Sequence, residues 1–595
     1  MPPTELAANS TNVERWVWWD WAAALFLFLS TSAIVIWQNS RLAVLWDLSY
    51  ILENSYRISL GDFPYRDFPF PYAPGTFLVQ ALLIKLTGRV FFHHLLYCAI
   101  VGGLATVVTW RILIHVLREA TPRFRLVAFL LALPLTVLGI YCVFPHPFYD
   151  PDCTFIILLC VLLLLKLEQN NFPPLQTFFT GILFILPIFV KQNTGLAFVA
   201  GAKWATLIFI VYALWRRQRV AGYVWLLAGM TAGFSAALLS LHFTVGLKNY
   251  WHWTIQFAAS RRFPGLVEMF TPYENPLLLL WIASFAAGAW LLWLGNRRGK
   301  RTLSWLSVSL MSAPFAWTII YLFVDDDPAE RAERLLALWP LILIASLFIA
   351  LWNLKKGPTV ARFLPFILIG AVQGAFLSQQ LWGSTFAIWP LLMILLAVIF
   401  AELFRLGNIN SLREIEVLAG IAAFSILIAG AFYVVSHERL DYAGLSSGET
   451  AHSTLPALKG LSMRGPWIPE FEELVHFTDR EIPRNQGLLM IPGEDLFYYT
   501  TGRRPQFPVL MFDHTVNPYS PQEILEISRR RNICWLVLKK NLQLNADPVE
   551  DKARLGDLLR GDFFLVKSLA NYDVYRRFAP RSCVEISIDP VNLGN

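Results

Sequence analysis

Long apolar runs alternate with short polar connections along most of the chain. Runs near 20 residues, the length a helix needs to cross a hydrocarbon layer of about 30 Å, lie at about 16 to 38, 90 to 117, 125 to 144, 152 to 168, 174 to 191, 195 to 215, 220 to 245 and 275 to 295. A last group lies at about 302 to 324, 335 to 354, 361 to 381, 385 to 404 and 417 to 436. The pattern predicts a multi-spanning α-helical membrane protein of about thirteen transmembrane helices. Two apolar helices at 48 to 56 and 76 to 87 are too short to span and are expected to lie in the membrane interface. The apolar run behind the polar stretch MPPTELAANSTNVER lacks a small-residue cleavage site and reads as a retained first span.

Beyond residue 436 the pattern changes. Apolar runs shrink to strand length, as in LLMI at 488 to 491, CWLVL at 534 to 538 and FFLV at 563 to 566, and DVYRR at 573 to 577 resembles a closing edge strand. PQEILEISRRR at 521 to 531 has helical periodicity behind a Ser520-Pro521 start. The expected organisation is a membrane part, 1 to 436, with an external loop at 38 to 75, followed by a soluble α/β domain, 437 to 595.

Composition agrees with a membrane protein: 56% of the residues are hydrophobic and 15% charged, with a mean hydropathy of +0.50. The net charge of +7 sits in short loops, so it is a topology signal and not a nucleic-acid groove. Arg118, Arg123 and Arg125, then Arg216, Arg217 and Arg219, then Arg297, Arg298, Lys300 and Arg301, then Lys355, Lys356 and Arg362 occupy every second connection. The positive-inside rule makes those connections cytoplasmic. The N-terminus is then expected in the cytoplasm and the tail outside, periplasmic or extracellular. Six cysteines show no metal-ligand spacing; Cys534 and Cys583 share the tail and could bridge in an oxidising compartment.

Residues 47 to 77, DLSYILENSYRISLGDFPYRDFPFPYAPGTF, are the first strongly polar stretch and carry four carboxylates, Asp47, Glu53, Asp62 and Asp67. A carboxylate at the outer end of a span is costly and tends to be kept for a purpose. Asp47 can equally be read as the N-cap of the helix that follows. Asp150 and Asp152, and Asp325 to Asp327, are paired acids of the kind that suits Mg²⁺ or Mn²⁺ beside phosphates, which allows a divalent metal without requiring one. Asp152 can also simply cap the helix it begins. No G-x-x-x-x-G-K-[ST], H-E-x-x-H or G-x-S-x-G occurs, which argues against NTP-driven pumps and the commonest hydrolases.

A membrane-emergent Asp47 with Tyr50 three residues on, then G-x-x-P-Y-x-D-F at 61 to 68 and P-Y-x-P-G-T at 71 to 76, resembles the first external loop of the GT-C glycosyltransferases. The branch it is most similar to holds the bacterial relatives of protein O-mannosyltransferases and the aminoarabinose transferase of lipid A. FPHPFYDPD at 144 to 152 and GILFILPIFVKQNTG at 181 to 195 extend the resemblance. It implies inverting transfer of a sugar from a polyprenyl-phosphate carrier to a hydroxyl or amine of a glycan, lipid or protein, on the outer face of a bacterial inner membrane. Asp47 would be the general base, supported by Asp67. The leaving phosphate needs positive charge, for which Lys191 is the first candidate and Arg261 with Arg262, or Arg331 with Arg334, the others. Tyr50, Tyr65 and His146 are further candidate substrate contacts. Two positions depart from the family pattern: Leu48 follows Asp47 where many members carry Glu, and Ala73 stands before Pro74 where some carry Lys or His. The rival reading is a transporter or lipid flippase, but the charges gather at one external face and the two halves do not match, unlike typical transporters.

Overall fold

The computed structural model describes residues 16–217, 219–262, 267–324, 334–354, 359–377, 383–407, 411–436, 440, 442–445, 448–544 and 550–578. The chain is mostly helical. Its membrane part begins with α1 (Trp18–Asn39), α2 (Leu45–Ser59), α3 (Gly75–Thr87), α4 (Phe91–Leu117), α5 (Phe124–Ala132), α6 (Tyr149–Gln169), α7 (Pro174–Leu183), α8 (Gln192–Trp215) and α9 (Ala221–Thr244). It continues with α10 (Leu278–Arg298), α11 (Arg301–Val324), α12 (Leu338–Asn353), α13 (Val360–Phe376), α14 (Trp389–Gly407) and α15 (Leu412–Ser436). Among the described residues, 9 helices are long and apolar enough to cross a membrane. The other expected spans correspond to helices that are shorter, broken or more charged. Pro134 follows α5, Pro187 lies in the 3₁₀ turn behind α7, and α6 carries Asp150, Asp152, Lys166 and Glu168. Along the apolar stretch of α14 every residue is buried, so the other helices are arranged around it.

The basic connections meet at one end of this bundle. Arg123 pairs with Glu416 at 2.9 Å, Arg301 with Glu414 at 2.7 Å and Arg125 with Asp20 at 3.1 Å. The starts of α1, α5, α11 and α15 are thereby held together. Asn39, at the far end of α1, marks the opposite end, where α2 and α3 lie.

The tail forms β1 (Thr450–His452), β2 (Ser462–Arg464), α16 (Trp467–Glu481), β3 (Gly487–Ile491), α17 (Phe497–Thr501), α18 (Pro521–Arg530), β4 (Ile533–Lys539), α19 (Glu550–Arg560), β5 (Phe563–Ser568) and β6 (Tyr572–Arg577). Four strands make a mixed sheet in the order β3-β4-β6-β5, with β3 parallel to β4 and the other pairs antiparallel. All three strands read from the sequence are present, and 573 to 577 forms most of β6, an inner strand and not an edge. Ser520 caps α18 with a reciprocal bond to Glu523, as the Ser-Pro start predicts. Cys534 is disulfide-bonded, and Cys583 lies outside the described residues.

The short helix α2 differs from expectation. It is not an exposed amphipathic helix: Leu48 to Ile58 are all buried, polar residues included. Its polar side chains are engaged by the tail, which covers the face that would otherwise meet headgroups or water. Ser49 donates to the carbonyls of Gly493 and Asp495, Glu53 accepts from the Tyr499 N–H, and Arg57 donates to the carbonyls of Phe507 and Pro508.

Candidate active site

Asp47 lies in the first turn of α2, not at its N-cap, which is Val44. The start of this helix is fixed from two sides. His146 Nε2 accepts the Val44 N–H at 3.2 Å, and Asn39 meets the other ring nitrogen, Nδ1, at 3.1 Å. Burial pushes the imidazole down to about 3, so the ring is neutral. From the tail, Gln543 Oε1 accepts the Leu45 N–H and its Nε2 donates to the Ala43 carbonyl, both at 2.7 Å. The first N–H groups of α2, orphaned in an isolated helix, are therefore capped by side chains distant in sequence.

The Asp47 carboxylate emerges from this fixed turn half-buried. Tyr442, just beyond the last membrane helix, donates its hydroxyl to Oδ2 at 2.9 Å. Burial, and then the Asp47 charge, push the Tyr442 phenol well above its ordinary range, so it stays a neutral donor.

An aromatic wall runs from here to a second charged group. Tyr50 packs on Tyr72 at 4.6 Å and Tyr72 on Tyr149 at 5.4 Å. Lys191 holds its ammonium 5.5 Å from the Tyr149 ring centre and forms a buried ion pair with Asp150. Lys191 stands at the break between the 3₁₀ turn Leu186–Phe189 and α8, as the N-cap residue of α8, with its side chain buried. The loop approaches this break closely. Gln192 donates to the Pro71 carbonyl at 3.2 Å, and a Cβ on Gly75 would fall 2.6 Å from the Phe189 carbonyl oxygen. Only glycine lets the P-Y-x-P-G-T turn meet the Lys191 segment.

The other expected residues are distributed as follows. Tyr65 has φ +69 and donates to the Tyr72 carbonyl at 2.5 Å, which braces the wall from behind. His146 is fully buried and holds α1 and α2, so it positions the loop and does not reach a substrate in this arrangement. Asp67 sits on the outer rim, paired with Arg66 at 2.9 Å and accepting the Phe63 N–H at 2.7 Å; it closes a turn and joins no contact to Asp47 among the described residues. Arg261 is exposed and donates to the His514 carbonyl at 3.2 Å. Arg334 donates to the Tyr321 hydroxyl at 2.9 Å and covers that ring. The side chain of Arg262, and Arg331 with Asp325 to Asp327, lie outside the described residues.

Asp150 and Asp152 diverge. Asp150 faces Lys191, whereas Asp152 is buried and accepts from Thr76 at 2.6 Å, Tyr97 at 2.7 Å and Tyr141 at 2.6 Å. Among the described residues no three metal-ligating side chains converge. A divalent ion at Asp150 would have to compete with the Lys191 ammonium, so this pair does not fit a metal.

Sequence reasoning missed Tyr442, Tyr149, Tyr72 and Gln543. Tyr442 and Gln543 are hundreds of residues from Asp47, and nothing local marks them. Tyr72 and Tyr149 stand inside quoted motifs, where the alternation of Tyr and Pro was the available signal.

No family model and no curated protein matches the chain. Among solved structures it is similar to ArnT from Cupriavidus metallidurans bound to undecaprenyl phosphate, at 13% identity over 93% of this chain and 98% of that one, with a TM-score of 0.44. It is also similar to the oligosaccharyltransferase AglB from Archaeoglobus fulgidus in complex with an inhibitory peptide and a dolichol-phosphate, at 11% identity over 88% of this chain and 69% of that one, TM-score 0.44. At this identity no residue role transfers from either.

Proposed function

We propose that this chain is an inverting membrane glycosyltransferase that moves a sugar from a polyprenyl-phosphate carrier to an acceptor hydroxyl or amine. The observation that carries the reading is the pairing of a carboxylate on a fixed helix start, Asp47 held by Tyr442, with a buried ammonium, Lys191, along one tyrosine-lined wall. A base and a cation set apart by aromatic surface are what displacement at an anomeric carbon requires.

Asp47 takes the acceptor proton as the acceptor oxygen or nitrogen attacks the anomeric carbon. The bond from that carbon to the phosphate oxygen breaks, and its electron pair leaves with the lipid phosphate. Lys191 stabilises the departing charge once the phosphate draws it from Asp150. Arg261 and Arg334 remain secondary candidates for the same phosphate. Asp67 contributes by closing the loop that carries the wall.

The working face is the external side of a bacterial inner membrane, with the N-terminus cytoplasmic and the tail, 437 to 595, outside. The gathering of Arg123, Arg125 and Arg301 at the end away from Asp47 supports that orientation. About thirteen crossings, an odd number, would follow if the shorter and broken helices also span.

The test is incubation of purified protein with a panel of polyprenyl-phosphate sugars and membrane extract, wild type against Asp47→Asn. Transfer is expected in the wild type and should collapse by about 10²–10⁴-fold in a folded variant, the usual contribution of a general base. Normal transfer by the variant removes Asp47 as the base. Dissipation of a solute gradient with no lipid-linked sugar consumed establishes the transporter reading instead.

A further inference from the structure

A second polar site lies at the other end of the bundle. Phe91 begins α4 with its ring 6.5 Å from His146. His115, near the end of the same helix, is about 36 Å further along at 1.5 Å per residue. There a cavity of about 340 Å³ opens between the ends of α4, α6, α12, α13 and α14. Arg118, Arg362 and Arg405 line it together with Glu119, Glu168 and Asn353.

The lining is mixed in charge, and part of it is already engaged. Glu168 accepts the Val360 N–H at 2.7 Å, and Arg405 is paired with Glu402 at 3.1 Å. Asn353 is 3% exposed and gives its amide N–H to Glu402 at 3.3 Å. Its carbonyl oxygen has no hydrogen-bond partner among the described residues. Rotating the amide would set that oxygen against the Glu402 carboxylate, so the orphan is an acceptor that calls for a donor. A buried acceptor beside arginines does not suit a bare anion. It suits a ligand that carries both a phosphate and an N–H cation. The final turns of α12 that bear Asn353 also expose Phe348, Leu351 and Trp352, an apolar face able to lie along acyl chains.

We propose that this cavity binds the headgroup of an aminophospholipid, with Arg118 and Arg362 on the phosphate and Asn353 Oδ1 and Glu119 on the primary ammonium. Basic pockets between membrane helices hold lipid headgroups through the same charge-assisted bonds. The site is separate from Asp47, and its occupancy does not depend on whether the chain transfers sugar.

The experiment uses the full-length protein in mild detergent, offered phosphatidylethanolamine, phosphatidylcholine or phosphatidylglycerol of identical acyl chains, with retained lipid read by native mass spectrometry. Phosphatidylethanolamine is expected to be held about tenfold more tightly than phosphatidylcholine, whose quaternary ammonium has no N–H to give Asn353. Equal retention of the two by the wild type overturns the proposal without any variant. Asn353→Leu should erase that preference, and Arg118→Ala with Arg362→Ala should lower retention of all three lipids. An unchanged preference in a folded Asn353→Leu protein also overturns it. Thermal melting with inorganic phosphate and with soluble phosphoethanolamine separates the sources: stabilisation equal to that given by the lipid would assign the cavity to a soluble ligand.

Discussion

Replacing Gln543 by Leu tests whether the tail acts on the reaction through the helix that carries Asp47. Gln543 makes two 2.7 Å hydrogen bonds, accepting from the Leu45 N–H and donating to the Ala43 carbonyl. Both residues are within 1% of complete burial, so Leu leaves two buried backbone groups unpaired. Each such orphan costs about 1–3 kcal/mol, and partial rehydration beside the half-buried residue 543 brings the pair to about 2–4 kcal/mol. The groups lie within four residues of Asp47, so the first turn of α2 is the part that relaxes. Where that cost appears in the barrier, each ~1.4 kcal/mol is a factor of ten, and transfer should fall by about 30- to 700-fold. The KM for the lipid donor should change little, because Lys191 is held by Asp150 and Tyr149 packs on Tyr72, at the other end of the wall. The assay is the initial rate of transfer from a polyprenyl-phosphate sugar, with thermal melting alongside to show that the tail remains docked. Gln543→Glu keeps an acceptor for Leu45 and loses the donor to Ala43, so its rate should be intermediate. A Gln543→Leu protein that transfers within about twofold of wild type would refute the coupling of tail to base.

Other outcomes follow from the same contacts. Tyr442→Phe removes the donor to Asp47 Oδ2; the charged carboxylate loses a stabilising bond, so the acid limb of the pH–rate profile should move to higher pH, and an unmoved limb counts against Asp47 as the base. Burial raises the Glu53 carboxyl well above its ordinary 4.5. The folded state then binds this proton more tightly than the unfolded one, so the contribution of Glu53 to stability is greatest below 4.5 and declines as pH rises from there through the raised value. Glu53→Gln should flatten that decline in melting temperature against pH. Lys539 is fully buried between Glu494 at 2.6 Å and Asp495 at 2.8 Å. Lys539→Met strands two carboxylates and should destabilise the tail by about 3–5 kcal/mol, read from its unfolding by the fluorescence of Trp467, which donates to Asp495.

Asp47 and Lys191, the two groups of the proposed reaction, stand out in the chain because each is an expensive charge beside an apolar run. Asp67 and His146 carried the same signal without the same place. Asp67 is satisfied within its own turn by Arg66 and Phe63, and His146 is spent on Val44 and Asn39. Residue type and spacing do not distinguish a carboxylate that faces a cleft from one that closes a turn. The Asp150 and Asp152 pair shows the limit most directly. Two positions apart on a helix, they point to different neighbours, so one meets an ammonium and the other three hydroxyls.

The helical bundle, the α/β character of the tail and the polar loop between α1 and α3 are legible in the chain, because apolar run length and local periodicity act over neighbouring residues. Only the folded tail buries α2, sets Tyr442 on Asp47 and brings Gln543 to cap the helix beneath it. Those contacts join residues 395 to 500 positions apart. They form only when the folded tail covers the otherwise unpaired backbone groups of α2, a demand that local pattern does not encode.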